Sequence, residues 1–243
     1  MENAIFGSLI SALATGAGAL PILFVKEISN KFRYNLLALA SGIMLAASAF
    51  SLIPEALNSS GLFILALGLL AGTFLLNLLD QKLCNLDLDG YRFADRLSKS
   101  TLVILCAMVV HNIPEGLSVG VSYGSDNKNL GGLIAFAIGL QNAPEGFLVA
   151  LYLLKEKISK WIALAIATGT GLVEFLSSMA GYGLASKING LVPFGLSIAA
   201  GAMLFIIYKE LIPESQEGES VRFPTYSFIV GLIIMLTMVE KLG

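Results

Sequence analysis

Charged residues in this chain are separated by apolar runs of about twenty residues, a length that in a helix matches the ~30 Å hydrocarbon core of a bilayer. That spacing is the strongest constraint on the fold. Hydropathy divides the chain into eight such runs, near residues 4–25, 34–57, 61–80, 101–123, 131–154, 161–184, 191–212 and 225–241. Only 13% of the residues are charged and the mean hydropathy is +0.81, whereas a soluble domain carries about 25% charged residues. The expected fold is an all-α integral membrane protein, a single transmembrane domain over residues 1–243 with eight helices. Lipid is the expected surrounding, and the absence of basic tracts interleaved with aromatics argues against nucleic acid as a partner. No positive leader precedes the first run, which therefore reads as a retained span. Cys84 and Cys106 form neither a disulfide framework nor a CxxC pair.

Lysines and arginines orient the helices. Lys26, Lys31, Arg33, Lys82, Arg92, Arg96, Lys99, Lys155, Lys157, Lys160 and Arg222 follow odd-numbered runs, eleven in all, against Lys128, Lys187 and Lys241 on the other side. The excess places the odd connections in the cytoplasm and both termini outside, as expected for a multi-pass protein of a cell (inner) membrane. The fourth run then travels outward and the fifth inward.

Within those two runs a motif recurs. His111-Asn112-Ile113-Pro114-Glu115-Gly116 returns thirty positions later as Gln141-Asn142-Ala143-Pro144-Glu145-Gly146. Its copies lie on adjacent antiparallel helices, related by a two-fold axis in the membrane plane. Gly42 to Glu55 and Gly201 to Glu214 share seven of fourteen residues, and Ala14 to Pro21 matches Ala167 to Glu174 at four of eight. The expected arrangement is three helices, a central pair and three helices, with the outer triplets inverted copies of each other.

The central pair carries the chemistry. Each proline removes an N–H and displaces the carbonyl four residues back, that of Val110 or Leu140. At membrane depth such backbone belongs beside a polar cavity. His111 and Glu115 share one helix face, with Asn112 beside them; Gln141, Glu145 and Asn142 repeat the pattern, and Glu174 adds a carboxylate from the sixth run. An ionised carboxylate at a helix centre costs roughly 3 kcal/mol, so Glu115, Glu145 and Glu174 together cost on the order of 9 kcal/mol unless protons or a metal ion neutralise them. One imidazole with carboxylate and amide oxygens suits Zn²⁺, Fe²⁺, Mn²⁺ or Co²⁺ better than Cu⁺. Met44, matched by Met203, is a packing residue first and a soft ligand second. Lys209 and Glu210, near the end of the seventh run, are candidate pathway residues with Met44. There the lysine either snorkels to the interface or acts as a tethered cation. Asp87, Asp89 and Asp95 read as a solvated linker rather than a calcium loop.

With HNIPEG on the fourth of eight runs and a second Pro-Glu-Gly on the fifth, the chain resembles the ZIP family of divalent metal transporters, and its short length is similar to the bacterial GufA-like branch. The resemblance implies a 3+2+3 inverted-repeat fold, import of zinc and related ions (iron, manganese, cobalt or cadmium) toward the cytoplasm, a homodimer, and no cofactor or enzymatic activity. It further implies that His111, Asn112, Glu115, Gln141, Asn142 and Glu145 line the metal site, with Glu174 completing a second position. Where that branch has an aspartate this chain has Asn142, and where the family commonly has His-Glu it has Lys209-Glu210, so one primary ion is expected. Two other readings compete: a cation or proton-coupled exchanger of another inverted-repeat family, which does not need His111, and an intramembrane zinc hydrolase, which would have to work with a single histidine.

Overall fold

Inside a bilayer a helix satisfies its own backbone hydrogen bonds, so the apolar runs become helices. The computed structural model describes residues 1–25, 28–83, 97–188, 190–218 and 222–242. Among these residues the chain is helical throughout its regular elements, without strands. The helices are α1 (Glu2–Ala19), α2 (Asn30–Ala47), α3 (Ile53–Leu83), α4 (Lys99–Tyr123), α5 (Leu130–Lys155), α6 (Lys160–Ala185), α7 (Leu191–Ile206), the single turn α8 (Ile212–Ser215) and α9 (Arg222–Leu242). Cys84 and the aspartates of the 81–100 connection lie outside the described residues.

Local chemistry marks the helix ends. The hydroxyls of Ser29, Ser98 and Ser159 cap α2, α4 and α6 by accepting the backbone N–H three residues on. Ser98 and Thr101 also donate to the Glu156 carboxylate, which ties the start of α4 to the end of α5 and holds that carboxyl below its usual range. Pro21 ends α1 in a tight 3₁₀ turn, Leu20–Leu23.

Two π-helical turns, Ser48–Leu52 and Ile207–Leu211, join α2 to α3 and α7 to α8. Each stands just before an Ile-Pro-Glu sequence, and the wider turn accommodates the carbonyls of Phe50 and Lys209 that Pro54 and Pro213 displace. Seven stretches of the described chain are long and apolar enough to cross a membrane. One of them, Asn30–Lys82, runs 53 residues. At 1.5 Å per residue that is about 80 Å, more than twice a hydrocarbon core. It is interrupted at Gly61, whose φ of 80° and ψ of 172° are open to glycine and strained for other residues. No loop separates the runs near 34–57 and 61–80; one glycine breaks the helix.

Two groups of helices pack within themselves. In the first, α1 lies against α5 and α6, and α4 against α6 and α5; in the second, α3 lies against α7 and α2 against α9. Contacts of α4 with α7 and of α2 with α5 join the groups. Glycines permit the closest approaches: a methyl group at Gly146 would collide with the carbonyl of Thr15, and one at Gly116 with the carbonyl of Glu174. Phe6, Phe63, Leu70, Trp161, Leu176 and Phe223 are exposed, the apolar exterior expected of a chain in lipid. The chain is a multi-pass membrane protein whose polar layer is enclosed by α1, α4, α5 and α6.

Candidate metal centre

All seven side chains singled out in the sequence are buried, His111 the least so at 4% exposure. Helices α4 and α5 run through Pro114 and Pro144 without ending. Asn112 turns its amide nitrogen back to the Met108 carbonyl at 2.8 Å, so its part in the polar layer is carried by its oxygen.

The remaining polar atoms form two neighbouring sets. In one, Gln141 Nε2 donates to Glu115 Oε1 at 2.6 Å, and Glu145 lies within electrostatic reach of His111 and Glu115. In the other, Glu174 is fully engaged: Asn142 Nδ2 donates to Oε2 at 2.6 Å and Ser11 Oγ to Oε1 at 2.5 Å, while the same Asn142 nitrogen lies 3.2 Å from the Ser11 carbonyl. Ser11 was not singled out in the sequence. Its signal is the Ser8, Ser11, Thr15 spacing, which puts three hydroxyls on one side of an otherwise apolar α1.

His111 Nε2 stands 2.8 Å from Glu210 Oε2, reached from the π turn after α7. A carboxylate can only accept, so Nε2 carries the proton and the lone pair of the neutral ring is on Nδ1. That atom is buried without a partner, as are Glu115 Oε2, Gln141 Oε1, Asn142 Oδ1 and Glu145 Oε1. An unsatisfied buried polar atom costs about 1–3 kcal/mol, so these five acceptors cost on the order of 10 kcal/mol. All five bear lone pairs, the kind of group that a cation engages. Among the described residues no three imidazole, thiolate or carboxylate groups already stand as a ligand set. Each amide nitrogen donates to one carboxylate, Gln141 to Glu115 and Asn142 to Glu174.

Around the layer, the other candidates separate. Met44 is completely buried in the main apolar cluster with Met203. Lys209 pairs with Asp80 of α3 as well as lying 3.8 Å from Glu210 Oε1. The acid in the last turns of the third apolar run, Asp80, is the signal for that pair. The two Pro-Glu glutamates outside the central helices, Glu55 and Glu214, reach the ends of those helices. Glu55 Oε1 accepts from Ser125 Oγ just beyond α4 at 2.7 Å, and Glu214 accepts from Tyr152 of α5 at 3.1 Å. Tyr152 in turn accepts from Arg33 at 2.6 Å.

The chain as a whole is similar to known proteins. A family model described as ZIP Zinc transporter matches residues 88–239. The chain is 35% identical to Zinc transporter GufA of Myxococcus xanthus, over 100% of both chains. It is 32% identical to Zinc transporter ZIPB of Bordetella bronchiseptica, over 99% of this chain and 81% of that one, and 29% identical to Zinc transporter ZupT of Corynebacterium aurimucosum, over 93% and 92%. By the family model and by full-length likeness at this level, the chain belongs to the ZIP zinc transporter family.

Proposed function

We propose that this protein carries divalent transition-metal ions, zinc first, through the membrane toward the cytoplasm by alternating access. The carrying observation is the group of partnerless buried acceptors between α4 and α5. A cation held by His111 Nδ1, Glu115, Glu145 and the Gln141 and Asn112 oxygens removes both their desolvation cost and the repulsion between the carboxylates. Asn142 and Glu174 form a second, amide-locked set, so a single primary ion is the proposed load. Relatives named as zinc transporters support this reading over the exchanger and the hydrolase.

The proposed architecture has eight spans, with Gly61 separating the second from the third, arranged as inverted repeats around the α4–α5 pair. A constant offset supports it. The two π turns start at Ser48 and Ile207, 159 positions apart. Gly42 meets the Phe228 carbonyl where Gly201 meets that of Leu69, and Gly72 meets Ile198 where Gly231 meets Leu39; each partner has its mate 159 positions away. Thr15 and Glu174, met by Gly146 and Gly116, differ by the same interval. At this register Glu174 is the mate of Thr15, six positions from the Pro21 with which the short sequence match aligns it. The eleven-to-three division of basic residues supports extracytoplasmic termini, and the proposal includes a homodimer in the cell membrane.

Uptake into liposomes reconstituted with the protein tests the reading, across Zn²⁺, Fe²⁺, Mn²⁺, Cd²⁺ and Ca²⁺, for wild type and Glu145→Ala. Zinc uptake by the wild type and its loss in Glu145→Ala are expected; uptake that survives the substitution would overturn the proposed site.

A further inference from the structure

In the proposed repeat, helix contacts recur at a constant interval while one line of charge does not. From the central layer toward the end of the bundle that carries Lys82, four side chains form a line. His111 Nε2 meets Glu210 Oε2 at 2.8 Å, Glu210 Oε1 lies 3.8 Å from Lys209 Nζ, and Lys209 pairs with Asp80. Their mates are Gln141 at the 30-residue interval and Ser51, Phe50 and Val239 at the 159-residue interval. None of the mates carries a charge. This line of charged side chains therefore has no charged equivalent in the other half of the proposed repeat.

The ordering matters for an ion that leaves the centre on that side. Glu210 is the first carboxylate outside the central layer and Asp80 the next, and two carboxylates facing one gap make a hard-oxygen trap for a divalent ion. A trap on the way out slows release. In this chain the gap between them holds the ammonium of Lys209, whose side chain is 42% exposed and continuous with the bundle end, while Asp80 is 13% and Glu210 24% exposed. The π turn produces this arrangement, because it places Lys209 and Glu210 consecutively where α7 widens before Pro213.

We propose that Lys209 is a tethered cation that occupies the outlet carboxylates Asp80 and Glu210, so that an ion discharged from His111 and Glu145 passes to the cytoplasm without being held a second time. The lysine is a specificity and release residue rather than a metal ligand. Its positive charge repels a second ion from the outlet and leaves Glu210 free to orient His111. This rests on the transporter reading above.

Zinc bound per chain at saturation, measured by equilibrium dialysis and elemental analysis on purified protein, is the first readout. Zinc uptake by liposomes is the second. Lys209→Gln should bind one more zinc ion than wild type. Its maximal uptake should fall about tenfold while uptake at sub-saturating zinc stays unchanged, because only the release step has slowed. Asp80→Asn in the Lys209→Gln background should remove the extra ion and restore the plateau. The idea is overturned if Lys209→Gln binds no additional ion, or if plateau and sub-saturating uptake fall together. Asp80→Asn alone gives an independent check that needs no loss of the lysine: it should bind as many ions as wild type, and loss of one ion would show that zinc, not Lys209, occupies Asp80. A wild type that binds no zinc would instead remove the central site itself, which separates the two failures.

Discussion

The imidazole of His111 and the carboxylate of Glu210 meet at 2.8 Å although 99 residues separate them in the chain. This contact links the α1/α4/α5/α6 group to the α7 π turn and decides which ring nitrogen faces the central layer. In the proposed site Glu210 acts through His111, as carboxylates behind metal-bound imidazoles commonly do.

Removing that carboxylate should weaken metal binding without removing a ligand. Glu210→Ala is expected to lower zinc affinity about 10- to 100-fold. Glu210→Gln keeps an acceptor oxygen for the Nε2 proton and should lose less. Titration of purified protein against a competing chelator reads both, and equal affinity for wild type and Glu210→Ala would show that the ring needs no such support.

In the proposed site Asn142 sets how many ions the layer holds. Its amide nitrogen, 2.6 Å from Glu174 Oε2, gives that carboxylate a hydrogen bond in place of the second cation that an acid at this position would call for. Asn142→Asp replaces a donor with a like charge and leaves a buried carboxylate uncompensated, at a cost of about 3–5 kcal/mol in the metal-free protein. The midpoint of thermal unfolding in detergent should fall, recover on adding zinc, and the variant should bind one ion more than wild type. An Asn142→Asp protein as stable as wild type without zinc, with unchanged stoichiometry, would refute the amide-lock account.

Close packing behind the site is open to a separate test. Gly146→Ala and Gly116→Ala drive a methyl group into the carbonyls of Thr15 and Glu174, fixed backbone that cannot rotate away. Each should destabilise by about 1–3 kcal/mol. Gly132→Ala, also in α5 but with nothing near its added carbon, should be neutral or gain up to about 1 kcal/mol from helix propensity. Parallel thermal melts of the three variants compare them directly, and equal melts would place the close approach elsewhere.

What the sequence by itself determined follows from periodicity and from the price of polarity in lipid. Apolar runs of bilayer length could only be helices, and a histidine and three glutamates inside them could persist only if something neutralised them. The thirty-residue repeat was readable because HNIPEG and QNAPEG align without gaps. The register of the outer triplets on α1 and α6 was harder to read, since short apolar segments match at many offsets: Thr15 and Glu174 share no chemistry, only a place beside a glycine. Tertiary structure alone decided the partners. Glu210 meets His111, Lys209 meets Asp80, and Ser11 and the Asn142 amide both meet Glu174, because side-chain direction at a helix crossing depends on packing angles and π turns that linear spacing does not encode.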